Sequence, residues 1–235
     1  GAMEVGEADR YELSNTFTFL EDPSNLLTLD EVRQPDVQAR FQAVQRSGPA
    51  TNFGLTRSAI WLRIMLETKG GISPDWLLEV AYPPLDDIQL YAPDGRGGWA
   101  VQRAGDQLPF ALRPVPHRNH VMPLKLNPGE THTLYVRVSS HGTVSAPILL
   151  WRPSALWAHD QAAYAALSLY FGLLAGLLLY NLLLFVAVRD SAYLIYVAFV
   201  GGMAVAQAAL TGLGAQFLWP QWVWWNTVSP PAGMA

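Results

Sequence analysis

Two long apolar segments near the C-terminus dominate the pattern of hydrophobic and polar positions. The first runs from Ala162 to Val188 without a charged side chain, and the second runs from Ser191 to Phe217. A bilayer core needs about 20 apolar residues in helical form, so each segment is long enough to cross it. Only Arg189 and Asp190 separate them, which predicts a tight antiparallel helical hairpin in a membrane.

The residues before the hairpin follow the alternating pattern of β-strands. In Ala59–Thr68 every second residue is Ile or Leu, and Thr131–Ser139 alternates in the same strict way. About eight such runs occur, roughly 10–15 residues apart and joined by Pro, Gly and Asp turns, which is typical of an all-β sandwich. The pattern predicts a jelly-roll β-sandwich over residues 11–152.

Two N-terminal segments depart from the strand pattern. Residues 29–46 change to a helical period, with Val37, Phe41 and Val44 on one face of a short predicted helix. Residues 1–10 begin with Gly-Ala-Met, which looks like the remnant of a removed tag. We therefore expect residues 1–10 to be a tag remnant and a disordered N-terminus.

Changes in composition divide the C-terminal part further. We expect a junction helix at 153–163, a first transmembrane helix at 164–188, a second at 191–217 and a truncated tail at 218–235. Arg189 is the only cation in the turn, so the positive-inside rule favours a cytoplasmic turn. The sandwich would then lie outside the membrane, in the periplasm if the cell has an inner membrane of the Gram-negative kind.

Charge and composition argue against several functions. The chain has 15 Lys+Arg, 19 Asp+Glu and a formal charge of −4 without a basic block, so no nucleic-acid partner is expected. It has no cysteine, and its 5 histidines lack metal-ligand spacing, so no metal and no cofactor are expected. No catalytic motif occurs, which predicts a non-enzyme. A membrane-tethered hydrolase would need two carboxylates that converge in one cleft.

One polar cluster stands out in the predicted sandwich. Arg113, His117 and Arg118 lie with Asn119 and His120 in a proline-rich segment that enters a strand. Grouped Arg and His side chains suit an anionic or hydroxyl-rich ligand. The alternative is a solvated loop whose arginines pair with nearby acids.

Three further side chains are candidates for binding the ligand, namely Arg63, Arg137 and Trp76. The two arginines lie mid-strand among apolar neighbours, where they either line a pocket or occupy the solvated face. The tryptophan, like Trp61 and Trp99, either stacks on a sugar ring or belongs to the core.

The sequence from Ser58 to Pro153 resembles a known receptor family. The runs AIWLRIMLET, WLLEVAYPPLDDIQLYAPDG and APILLWRP carry the resemblance, together with the spacing Gly105-Asp106…Pro109-Phe110…Arg113 before His117-Arg118. They look like the second type of extracellular sensor domain of bacterial seven-transmembrane receptors with diverse intracellular signalling modules. The apolar run that begins YFGLLAGLLLYNLLLF is similar to the first two helices of the same family's membrane unit.

The resemblance implies a jelly roll like that of carbohydrate-binding modules, outside the inner membrane. It also implies a cytoplasmic output domain, typically a histidine kinase or a diguanylate cyclase. Arg113, His117 and Arg118 match the family's recurring polar motif, so these are the residues to which the resemblance carries a ligand-binding role.

We therefore interpret the sequence as the ligand-sensing part of a bacterial signalling receptor that passes a conformational signal to its membrane helices. Expected partners are a small-molecule or carbohydrate ligand, the membrane and the cytoplasmic signalling domain of the parent chain. The sequence does not decide whether the chain forms a homodimer. One rival interpretation is a membrane-anchored carbohydrate-binding or adhesion module without signalling output. The other is the membrane-tethered hydrolase.

Overall fold

The computed structural model describes residues 2–44, 51–222, 224, 225 and 228. The strands are β1 (Met3–Val5), β2 (Arg10–Glu12), β3 (Thr18–Asp22), β4 (Gln42–Ala43), β5 (Thr51–Leu55), β6 (Ala59–Thr68), β7 (Asp75–Val80), β8 (Asp87–Pro93), β9 (Trp99–Ala104), β10 (His120–Lys125), β11 (Thr131–Ser139), β12 (Thr143–Ala146) and β13 (Ile148–Trp151). The helices are α1 (Leu29–Val32), α2 (Pro35–Gln38), α3 (Pro153–Val188) and α4 (Ser191–Leu210), with a 3-10 turn at Phe110–Leu112 and a π-helical turn at Gly214–Leu218.

Two mainly antiparallel sheets form a sandwich. The larger sheet has the order β4-β3-β6-β11-β8-β9, and β1 pairs in parallel with β6. The smaller sheet has the order β10-β7-β13-β2, and β5 pairs with β12. The chain crosses between the sheets after β6, β7, β9 and β10, as in a jelly roll. The predicted all-β sandwich followed by a helical hairpin is confirmed.

The main core lies between the two sheets. The alternate residues of β6 and β11 that the sequence predicts to face inward are all buried, among them Ile64 and Val136. Leu78, Met122 and Leu150 belong to the same core cluster and come from the smaller sheet. Burying one such side chain contributes about 1.5–3 kcal/mol, so this layer is the main force that holds the sheets together.

A second apolar cluster covers part of the outer face of the larger sheet. Val32 of α1 and Val37 of α2 pack with Trp61 and Tyr135, which lie on β6 and β11. Trp61 is fully buried there, so it belongs to the core and offers no ring face to a sugar.

The prediction of one helix within residues 29–46 is wrong. Gln34 is extended (φ −65°, ψ 144°) because a residue that precedes proline is disfavoured in the helical region. The segment therefore forms two single turns, α1 and α2, and Pro35 begins the second. Phe41 and Val44 lie beyond both turns.

The prediction of disorder over residues 1–10 is also wrong for the part that forms β1. Met3–Val5 pairs with Leu66–Thr68 of β6, and Val5 is buried in the core. The Val5 carbonyl accepts a hydrogen bond from the Lys69 N–H at 2.9 Å. β3 pairs only with residues 59–63 of β6, so β1 covers an edge that would otherwise present unpaired backbone groups.

The hairpin consists of α3 and α4. α3 runs without a break, so the predicted junction helix and first transmembrane helix form one rod. Arg189 ends α3 in the left-handed conformation (φ 58°), and Asp190 caps α4 by accepting from the Ala192 N–H at 2.9 Å. Both helices are long and apolar enough to cross a membrane.

The regular part of α4 ends at Leu210, earlier than the predicted Phe217. Gly212 has a φ of +75°, which only glycine adopts at little cost, and it turns the chain out of the helix. The π-helical turn follows and leads to Pro220, whose carbonyl accepts from the Phe110 N–H of the sandwich. Most of the predicted tail 218–235 lies outside the described residues.

Candidate functional site

The sandwich contacts the hairpin at one end of the smaller sheet. Leu156, near the start of α3, is buried in a cluster with Leu77, Val121 and Trp151. Segment 106–120 adds polar contacts to α3 and to the residues that follow α4. We call this whole contact the junction: residues 77–86, 106–121 and 151 on the sandwich side, and residues 156–164 and 209–220 on the hairpin side.

A buried histidine–aspartate pair lies in the junction. His117 Nε2 is 2.5 Å from Oδ2 of Asp160 on α3, and the two side chains are 1% and 6% exposed. His117 Nδ1 accepts from the Asn119 N–H at 3.0 Å, so Nδ1 carries no proton. The neutral imidazole therefore has its proton on Nε2 and donates it to the Asp160 carboxylate. This bond ties the segment before β10 to the first turns of α3.

A buried carboxylate holds Asn119 in place. Glu79 of β7 accepts from the Asn119 side-chain amide at 2.6 Å and from the Trp151 indole N–H at 2.7 Å. Each carboxylate oxygen thus has a donor, which offsets the cost of burying the charge. The Trp151 ring packs on His159 of α3 with 5.1 Å between centroids, so the same network reaches the helix a second time.

Arg113 and Asp106 form a second polar group in the junction. Arg113 is buried, donates to the His117 carbonyl at 3.2 Å and lies over the Phe110 ring. Burial lowers the pKa of Arg113 to about 10, although Asp106 opposes this shift. Burial also raises the pKa of Asp106 to about 8, and the charge of Asp86 acts in the same direction. The Asp106 carboxyl is therefore mostly protonated near neutral pH.

His120 is a fully buried neutral imidazole beside this group. Its Nε2 lies 3.0 Å from the Pro83 carbonyl. Burial lowers the pKa of His120 to about 3, because a charged imidazole would be desolvated next to Arg113.

The backbones of the two parts meet at Gly212. A Cβ at this position would lie 2.2 Å from the Arg118 carbonyl oxygen, so a larger residue would push the chains apart. The Arg118 guanidinium lies 5.7 Å from the centre of the Tyr164 ring on α3. Both ends of the hairpin, the start of α3 and the turn after α4, therefore contact one segment of the sandwich.

The structure brings together three of the six predicted binding residues. Arg113 and His117 are buried in the junction. Arg118 contacts the hairpin there and also lines an open cavity of about 390 Å³ with Glu79, Asn119 and His159. Trp76 is 1% exposed in the core, with the Arg152 guanidinium 3.7 Å from the centre of its ring. Neither face of Trp76 is available to a ligand in this structure.

Arg63 and Arg137 lie apart from the junction, on neighbouring strands of the larger sheet. Arg63 donates to Thr18 and Gln38, so its guanidinium holds α2 against the sheet. Arg137 pairs with Asp87 at 3.3 Å and lines an open groove. Of the residues described, no group of three His, Cys, Asp or Glu side chains could hold a metal ion.

Glu79, Asp160 and Gly212 are junction residues that the sequence did not single out. Asp160 is the last acidic residue before the apolar segment that becomes the membrane helix. A single charge at that place is a signal that could have identified it. Glu79 lies between Leu78 and Val80 in β7, and nothing in the sequence pattern separates it from a surface residue.

A β-sandwich docked by buried polar contacts on an apolar helical hairpin defines a membrane protein with a globular domain on one side of the bilayer. The chain belongs to the 7TMR-DISM receptors: residues 14–152 match 7TMR-DISM extracellular 2, and residues 163–235 match the 7TM diverse intracellular signalling unit. The predicted resemblance is confirmed. The sandwich is the extracytoplasmic sensor domain, the helices belong to the transmembrane region, and neither matched family is a catalytic domain.

Comparison with curated proteins finds no match to this chain. Among solved structures, the carbohydrate-binding module TmCBM61 with β-1,4-galactotriose has a TM-score of 0.31 and 11% identity, over 59% of this chain and 90% of that one. A β-glucuronidase from Ruminococcus gnavus has a TM-score of 0.39 and 9% identity, over 62% of this chain and 29% of that one. A β-glucosidase from Kluyveromyces marxianus has a TM-score of 0.31 and 12% identity, over 58% and 16%. Structural similarity this weak supports no conclusion about function.

Proposed function

We propose that the sandwich binds a small ligand outside the cell membrane and that the junction passes the resulting change to α3 and α4. The parent receptor lies in the bacterial inner membrane with the sandwich in the periplasm. Its cytoplasmic output is a histidine kinase or a diguanylate cyclase. The fragment itself carries out no catalysis.

The observation that carries this proposal is the buried bond between His117 and Asp160. A domain that is merely anchored needs a covalent connection to its helix and no buried polar contact with it. Burying a carboxylate and an imidazole is costly unless each bonds the other, so a shift of either part destabilises the pair. The pair thus makes the energy of the helices depend on the position of the sandwich.

Transmission also requires two arrangements of the junction that the ligand distinguishes, because a ligand shifts an equilibrium only by its differential affinity. Within the described residues, Arg113 Nε, Arg118 Nε and Asp160 Oδ1 are buried without a hydrogen-bond partner. Each such group costs about 1–3 kcal/mol. An arrangement that pairs these atoms would recover this free energy, and it is the second state that the proposal requires.

The test uses the full chain in lipid nanodiscs. A thermal-shift screen of sugars, amino acids, organic acids and divalent metals first identifies a compound that raises the melting temperature. Hydrogen exchange is then measured with and without that compound in the wild type, in Asp160→Asn and in Asp75→Asn, an exposed control on β7.

We expect the compound to change amide protection in the sandwich and in residues 153–164 of the wild type and of Asp75→Asn. In Asp160→Asn the sandwich should still respond, whereas the response of α3 should be lost. A wild-type α3 that does not respond, or an α3 response that survives in Asp160→Asn, contradicts the proposal.

A further inference from the structure

An open polar groove borders the junction and shares Asp86 and Gln107 with it. It has a volume of about 590 Å³ and is lined mainly by Asn25, Arg57, Asp86, Asp87, Arg137 and His141. Small-molecule sites generally have volumes of about 300–1,000 Å³, so the groove is of the right size for one six-carbon compound. It contains Arg137, one of the residues that the sequence marks as a candidate for binding.

The carboxylates of the groove already have partners within the protein. Asp87 accepts from Arg103 at 3.2 Å, from Arg137 at 3.3 Å and from Gln89 at 2.7 Å. Asp86 accepts from the His141 N–H at 2.7 Å, and its Oδ2 is 2.5 Å from His141 Nδ1. A ligand cation would have to compete with these donors.

Two basic side chains of the groove, Arg57 and His141, have fewer partners within the protein. The Arg57 side chain is exposed and makes no ion pair or hydrogen bond with any described residue. The His141 side chain is 91% exposed and leaves Nε2 open, because its Nδ1 faces Asp86. The Arg57 guanidinium fork is a suitable donor for a ligand carboxylate. The ring proton of His141 lies on Nδ1, towards Asp86, so Nε2 can accept a hydrogen bond from a ligand hydroxyl.

Hydroxyl-binding groups complete the lining. Ser139 and Ser140 face the groove, and the Ser140 oxygen accepts from the Gly142 N–H at 3.2 Å, so its own proton is left to donate. A ligand with several hydroxyls can both donate hydrogen bonds to such groups and accept hydrogen bonds from them. We propose that this groove binds a small hydroxylated carboxylate, that is, a sugar acid or a related polyhydroxy acid.

The groove and the junction share a wall. The inference rests on the proposed function, because a ligand in the groove would act on the hairpin through this wall. Asp86 and Gln107 line the groove, whereas Pro84 and Asp106 line a cavity of the junction next to Gly212. The Asp106 N–H bonds to the Leu85 carbonyl at 2.8 Å, and the Gln107 N–H bonds to the Asp86 carbonyl at 3.2 Å.

The two segments of this wall cannot move independently. A Cβ at Gly105 would lie 2.1 Å from the Asp86 carbonyl oxygen, and Gly105 has a φ of +131°, so the segments are in closest contact there. A side-chain hydrogen bond also joins Asp86 to Asp106. Asp86 contacts both His141 and Asp106. A ligand that draws His141 away from Asp86 therefore changes the surroundings of the Asp106 carboxyl in the junction.

The experiment compares three six-carbon probes on the full chain in nanodiscs. D-Gluconate has the carboxylate and the hydroxyls, sorbitol has only the hydroxyls, and hexanoate has only the carboxylate. Calorimetric titration gives the Kd of each probe for the wild type, for Arg57→Gln, for His141→Gln and for the control Arg96→Gln, an exposed arginine in the β8–β9 turn.

We expect gluconate to bind at least tenfold more tightly than sorbitol or hexanoate. Arg57→Gln and His141→Gln should each weaken gluconate binding tenfold or more, and Arg96→Gln should leave it unchanged. If no probe binds, or if sorbitol binds as well as gluconate, the ligand class is wrong. If gluconate binding is insensitive to both groove variants, the site is wrong.

These outcomes are separable from failure of the proposed function. Hydrogen exchange of residues 153–164 with gluconate bound reports transmission, whereas Kd reports the groove. Binding that depends on Arg57 without any response in α3 would support the groove and contradict transmission through the junction.

Discussion

Two histidine–aspartate contacts among the described residues have the same length but differ in the exposure of the histidine. In the junction, His117 and Asp160 are 2.5 Å apart with side chains 1% and 6% exposed. At the groove, His141 and Asp86 are also 2.5 Å apart, but the histidine side chain is 91% exposed, whereas the aspartate side chain is 11% exposed. Bond length is therefore not what distinguishes them; access to water and to ligands is.

The two contacts are suited to different roles. A buried pair is strong evidence of a fixed position, because removal of one partner leaves the other without a bond in a low-dielectric site. The exposed imidazole of His141 exchanges its partner for water at little cost, so a ligand can draw it away from Asp86. The first contact suits transmission of a movement, and the second suits detection of a solute.

The largest expected difference comes from removing each histidine in turn. His117→Ala leaves the buried Asp160 carboxylate unpaired, which should lower the free energy of unfolding by about 3–5 kcal/mol. His141→Ala removes an exposed imidazole, and Asp86 keeps its bond from the N–H of residue 141, so this change should cost less than about 1 kcal/mol. Denaturant unfolding of both variants in the same detergent measures the difference. If both variants lose the same free energy of unfolding, the exposure of the histidine does not determine what each contact contributes to stability.

The next effect concerns the backbone contact at Gly212. Gly212→Val forces a β-branched residue into a positive φ and places its Cβ against the Arg118 carbonyl. The strained φ alone costs about 1–3 kcal/mol, so the turn should detach from the sandwich. Limited proteolysis should then cut residues 111–119 faster than in the wild type.

Gly201→Val is the matched control for this variant, because a Cβ at Gly201 meets nothing within 4 Å. It lies in α4 and should leave the cleavage rate unchanged. If both variants are cut alike, the effect belongs to the hairpin and not to the junction.

A smaller effect is a dependence of stability on pH. Burial raises the pKa of Asp106 from 3.8 to about 8, so the folded state holds a proton that the unfolded state has lost. The stability due to this group is complete below about pH 4 and is lost as the pH rises towards 8. The slope is at most about 1.4 kcal/mol per pH unit.

Melting temperatures between pH 6.5 and 8 test this dependence, because His120, with a pKa lowered from 6.5 to about 3, acts mainly below that window. Stability of the wild type should fall with rising pH across the window, and Asp106→Asn should flatten the curve. A wild-type curve that is already flat would mean that Asp106 is ionised in the fold.

The smallest effect is expected at an exposed pair away from both sites. Lys69 and Glu4 are 2.6 Å apart, but their side chains are 61% and 64% exposed. Lys69→Ala should leave the free energy of unfolding almost unchanged, and any change should be smaller at high salt. Denaturant unfolding at two salt concentrations gives this value, and a loss as large as that of His117→Ala would show that burial is not the deciding factor.

Much of the architecture was predictable because it follows from periodic patterns. Strict alternation in β6 and β11 predicted their bounds, and the uncharged run before Arg189 predicted a membrane helix. The start of β1 was not predictable in this way, because three residues are too few to show a period. It forms because β6 has an unpaired edge, which is a property of the assembled sheet.

The candidate site was only half predictable. The cluster at 113–120 was recognisable by its charge, but charge alone does not reveal whether it faces water or a helix. That outcome depends on Asp160, which lies 43 positions away in the chain. Likewise, Asp86 and Asp87 are adjacent in sequence, and only the fold shows that one contacts Asp106 and His141 while the other contacts the arginines.

The most direct test of the central claim measures whether the sandwich and the hairpin move as one body. The chain has no cysteine, so spin labels can be placed at Lys125→Cys on β10 and Ala187→Cys near the end of α3, both exposed. We predict one narrow distance distribution between the labels in nanodiscs, and a broad one when His117→Ala and Gly212→Val are added. A distribution that stays narrow after both changes, or is already broad without them, would contradict the claim that the junction couples the two parts.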